Sequence, residues 1–141
     1  SSRLFQSLVK EQKIFSNLDC YHFGTIEEGL LTIEGKLVKG IKMEDAEKAI
    51  NNELQKFIDE PATETELTKA KNKTESVIAF EDMSVMSRAG SLALYELLGD
   101  ANLINTELSK YNSITVEDVK EYSKKIFNTT NSNTIHYYSN N

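Results

Sequence analysis

Apolar residues recur at two different periods along this chain, and the switches between them mark its elements. Leu4, Phe5, Leu8 and Val9 are spaced as on one helical face, so the opening "SRLFQSLVKEQ" predicts an amphipathic helix. From Ile14 the period falls to two. Leu18 and Cys20 alternate with Asp19 and Tyr21, and after "GTIEEG" Leu31, Ile33 and Leu37 alternate with Thr32, Glu34 and Lys36. This pattern predicts two antiparallel strands joined by a short loop, with Gly24, Gly29, Gly35 and Gly40 punctuating the hairpin and its exit.

Helical spacing returns at Ala46, Ile50, Leu54 and Phe57 or Ile58, with Glu44 and Asp45 in the first turn, where the helix dipole favours acids. Pro61 stops that helix. Thr63 and Glu66 have the spacing of a capping box for the next one. Its apolar positions run from Leu67 to Leu97, too long for an ordinary globular helix, so a break is expected between about Phe80 and Ser87. "DANLINTELSKYNS" reads as a shorter helical stretch, and Thr115 with Asp118 as a second cap opening "VEDVKEYSKKIF". The closing "TIHYYS" has the β-branched and aromatic content of a strand, set off by the polar turn "NTTNSN". The order implies an α+β fold, an antiparallel sheet with several helices packed on one face. Three strands in one sheet, with Leu31, Ile33, Ile50, Leu67, Val119 and Ile126 in one core, are the concrete expectation.

A length of 141 residues suits one domain, and 27% charged against 39% hydrophobic residues is an ordinary globular balance. The net charge of -6 argues against a nucleic-acid surface, and the one basic run, Lys69, Lys71 and Lys73, fans around a helix as a solvated face. No membrane-spanning stretch is present in the sequence. Cys20 is the sole cysteine, read as a small buried hydrophobe in its strand. The chain opens inside a helical pattern with no cap before it, so a piece of a longer protein is expected.

"SRLFQSLVKE" before a hairpin, a helix ending in "EP", the "TETELTKAKN" helix and the closing "ITVEDVKEYSKKIF" and "NTIHYYS" together form a recognisable order. That order resembles the carboxyl-terminal, non-zinc domain of the pitrilysin/insulinase family of zinc metallopeptidases, which includes the mitochondrial processing peptidases. The resemblance implies that residues 1–141 are a single, truncated copy of that domain. It also implies a parent in which two homologous domains close around an extended peptide, with zinc held by an H-x-x-E-H helix of the amino-terminal domain. In such a helix two imidazoles on one face take the metal, and the Glu acts as base on its water. This chain has only His22 and His136, neither in such a motif, so no metal ligand and no cofactor are expected within it.

The family's second domain contributes an Arg and a Tyr in the form L-R, six residues, Y, donors suited to a substrate carbonyl as its charge grows. Starting from Leu8, those positions are occupied by Val9 and Ser16, which cannot do that work. Arg3 is out of register to replace the Arg. No catalytic residue is therefore assigned, and substrate-binding residues stay unassigned. A helix-borne set of Glu75, Glu81 and Asp82 reads as solvated charge, His22 as a strand residue, and one of Tyr137 and Tyr138 as a candidate peptide contact.

The implied function is a non-catalytic domain of a metallopeptidase, helping to enclose peptides for zinc held elsewhere. The alternative is a scaffolding module of an inactive paralogue. Peptide substrates and a homologous peptidase domain or subunit are the expected partners, without nucleic acid or membrane. A bacterial protein is expected, with the cytoplasm preferred to the periplasm. Three strands leave a bare sheet edge, so self-association of the chain, through edge-to-edge pairing or exchange of the first helix, is expected as well.

Overall fold

The computed structural model describes residues 2–24 and 26–138. The chain divides into two compact units, one made of Ser1–Glu60 with Ser123–Asn141 and the other of Pro61–Tyr122. Antiparallel strands and helices make it an α+β fold.

In the first unit the opening helix widens into a π-helical segment, Phe5–Glu11, and buries Leu8 completely. The Gln12 amide donates to the Ser7 carbonyl at 2.8 Å, and Lys13, at φ 54, turns the chain through the left-handed region. Strand β1 (Phe15–Phe23) pairs antiparallel with β2 (Leu30–Leu37). A bulge falls at Ser16, because Phe15 opposes Leu37 while Asn17 opposes Lys36. The extra residue explains why the buried residues of β1, Phe15 and Leu18, are three apart yet share a face. Leu18 faces Gly35 and Cys20 faces Ile33 on that side, and Asp19 opposite Glu34 on the other, as the period of two requires.

Gly35 is needed for close approach. A Cβ there would come within 2.6 Å of the Phe15 ring and 2.9 Å of Leu18 Cδ1. Helix α1 (Met43–Asp59) adds Ala46, so that Leu8, Phe15, Leu18 and Ala46 form the buried cluster, flanked by Val9, Ile14, Ile33 and Ile50. Arg3 secures the end of α1: its Nη1 donates to the Glu60 carbonyl at 2.6 Å, and its guanidinium lies 5.5 Å from the centre of the Phe57 ring. Phe57 in turn meets Phe127 edge-on at 6.3 Å.

The second unit is helical. Helix α2 (Glu64–Glu81) begins with the expected capping box: the Glu66 amide donates to Thr63 Oγ1 at 3.3 Å and the Thr63 amide to Glu66 Oε2 at 2.9 Å. The expected break lies between Glu81 and Val85, where Ser84 caps α3 (Val85–Leu97) by accepting from the Ser87 amide. Gly99, at φ 104, follows α3 in the left-handed conformation that ends helices. A 3-10 turn (Ala101–Asn105) leads to α4 (Glu107–Ser113), and Lys71 Nζ ties α2 to α4 by donating to the Asn112 carbonyl at 2.8 Å. Helix α5 (Val116–Ile126) opens on the second expected box, with the Asp118 amide donating to Thr115 Oγ1 and the Thr115 amide to Asp118. Hydrogen bonds with Thr115 hold the Asp118 carboxyl below its ordinary pKa.

Three expectations fail. Residues 132–138 form no strand, and Ser139 lies outside the described residues. A strand exists only against an edge, and here Thr134 Oγ1 and His136 Nε2 meet the two carboxylate oxygens of Glu47 on α1 instead, at 3.0 and 3.2 Å. The six chosen residues do not share one core. Leu67 is buried, but in the other unit from Ile33 and Ile50, and Ile126, near the end of α5, is 42% exposed. Cys20 is exposed, since the buried part of β1 ends at Leu18; its surroundings still desolvate the thiol enough to raise its pKa.

Candidate functional site

The segment that resembles the peptidase's substrate-contacting stretch spans the π-helical turn and the start of β1. Val9 is half-buried and packs against the core cluster. Ser16 is exposed at the bulge, and its hydroxyl donates to the Lys36 carbonyl at 3.0 Å. Bulges and π-turns re-aim side chains. Here they aim a methyl-bearing side chain inward and tie a hydroxyl to the neighbouring strand.

The polar side chains of the same stretch turn toward α1. Glu53, with 11% of its side chain exposed, accepts from Lys56 Nζ at 2.6 Å and from Gln12 Nε2 at 3.5 Å, and it also bonds Ser7. Burial pushes the Glu53 carboxyl up, but these hydrogen bonds outweigh it and hold its pKa below the ordinary value. Lys56 is correspondingly raised, first by its hydrogen bond to Glu53. Beside them a shallow depression of about 570 Å³ is lined by Gln12, Ile14, Lys48, Asn52, Glu53 and Lys56, among others. Of its charged side chains, Glu53 ties the opening segment to α1 through Ser7 and Gln12. Sequence reasoning missed Glu53. The signal was there, since position 53 falls on the same helical stripe as Ala46, Ile50 and Phe57.

The remaining candidates are scattered. Glu75, Glu81 and Asp82 are exposed on or after α2, and no group of three or more metal-capable side chains occurs among the described residues. His22 is exposed on β1 and lies over Gly29, where a Cβ would meet its Nε2 at 2.5 Å. His136 bonds Glu47 and meets Tyr138 edge-on at 6.5 Å, whereas Tyr137 is 87% exposed. Both tyrosines are exposed, and since no strand forms here the expected division of the pair between two sheet faces does not arise. Tyr95 bonds Glu107 across α3 and α4, and burial followed by that carboxylate pushes its pKa up to about 12. Among the described residues no helix is long and apolar enough to cross a membrane.

The peptidase M16 inactive domain matches residues 1–74 of this sequence, the part that contains the π-turn, the hairpin and α1. The chain belongs to this family. It is thus the non-zinc type of pitrilysin-family domain that the sequence resembles. No curated protein sequence matches it. Among solved structures, the inactive peptidase domain of a candidate zinc protease from Bordetella parapertussis superposes with a TM-score of 0.83 at 19% identity, covering 93% of this chain and 71% of that one. A candidate zinc protease from Bordetella pertussis Tohama I gives 0.81 at 20% identity, covering 93% and 72%. A protease from Helicobacter pylori gives 0.79 at 22%, covering 89% of this chain. The chain spans 30% of the length of that protease.

Proposed function

We propose that residues 1–141 are part of the carboxyl-terminal domain of a zinc-dependent metallopeptidase, and that this domain helps to enclose peptide substrates while another domain holds the zinc. The observation that carries this reading is the match to an inactive peptidase domain over a segment whose Arg and Tyr positions hold Val9 and Ser16. Val9 contributes packing, Ser16 ties the bulge to β2, and neither is placed to polarise a carbonyl. The names of two solved relatives, a candidate zinc protease and the inactive domain of another, support a zinc-bearing partner domain, either in the same polypeptide or in a second subunit.

Isolated, the chain is expected to retain no stoichiometric zinc after chelator dialysis and to cleave no peptide, measured by metal analysis and by a quenched fluorescent peptide. It is expected to bind a labelled, unstructured peptide weakly by anisotropy. Tight zinc or intrinsic proteolysis would overturn the non-catalytic assignment.

A second reading, a scaffold in an inactive paralogue, is favoured by one observation: Ser7 and Gln12 of the opening segment are committed to Glu53. Absence of peptide binding, together with tight capture of the homologous zinc domain, would select it.

A further inference from the structure

We draw no further inference here: the strongest candidate, the surface segment at residues 134–138, which Thr134 and His136 fasten to Glu47 of α1 while Ile135 and Tyr137 stay 91% and 87% exposed, has the composition of a strand but carries nothing, because nothing in the structure shows what covers it.

Discussion

The two units of this chain are held together by different means. In the first, Leu8, Phe15, Leu18 and Ala46 are buried against one another, drawn from the π-turn, β1 and α1. In the second, Leu67 is the buried apolar residue and α3 buries none. Its order comes instead from caps and polar ties at Thr63, Ser84, Asp100 and Thr115, and from Lys71 to the Asn112 carbonyl. Burial is non-directional and scales with area, whereas each cap contributes only about 1 kcal/mol and acts on one helix end. The first unit should therefore be the more protected, with slower amide exchange through β1, β2 and α1 than through α3 and α4, read by hydrogen-exchange mass spectrometry. Equal protection in both units would break the comparison.

The sharpest probe is Leu8→Ala, because Leu8 has no exposed surface and lies at the centre of the cluster. A loss of about 2–5 kcal/mol is expected by urea unfolding. Next comes Gly35→Ala, whose methyl would press on Phe15 and Leu18, two buried side chains with little room to yield; a loss of about 1–3 kcal/mol is expected. In the second unit Thr63→Ala removes the cap of α2 and should cost about 1 kcal/mol. If it costs as much as Leu8→Ala, the helical unit is more cooperative than its sparse interior implies.

Acid provides a further contrast. Asp118 and Glu53 both have folded-state pKa values below their ordinary ones, the first through hydrogen bonds with Thr115, the second because Lys56, Ser7 and Gln12 outweigh burial. A depressed folded pKa contributes stability above the unfolded value, and that contribution is lost as pH falls through the folded one. Loosening should accordingly begin below the ordinary carboxylate range, and Asp118→Asn should flatten the α5 part of it, followed by circular dichroism. The smallest effect is a gain. Lys13, at φ 54, occupies a left-handed position that glycine adopts without strain, so Lys13→Gly should stabilise by up to about 1 kcal/mol.

Local hydrogen bonding explains why so much of the helical unit was legible before the structure. A capping box joins residues three apart, so Thr63 with Glu66 and Thr115 with Asp118 declare themselves wherever the chain goes. The break after Glu81 was legible for a related reason, since helix length and the Ser84 cap are local properties. The hairpin's alternation was readable except at Ser16, where a bulge adds one residue without a sequence signal. The vacant Arg and Tyr positions were likewise visible as Val9 and Ser16. That the polar residues beside them would turn to Glu53 was not.

Sequence alone thus determined the helices, their caps, the paired strands and the family. Tertiary structure alone decided which faces are covered. "TIHYYS" has every local property of a strand, yet residues 134–138 are not one, because a strand requires a second chain segment at hydrogen-bonding distance. Thr134 and His136 found Glu47 instead, a residue 87 and 89 positions away. Likewise the periodicity of Met86, Gly90, Ala93 and Leu97 shows that α3 has an apolar face but is silent on its direction. Hydrophobic pattern specifies that a face is to be buried; only the packed chain shows against what.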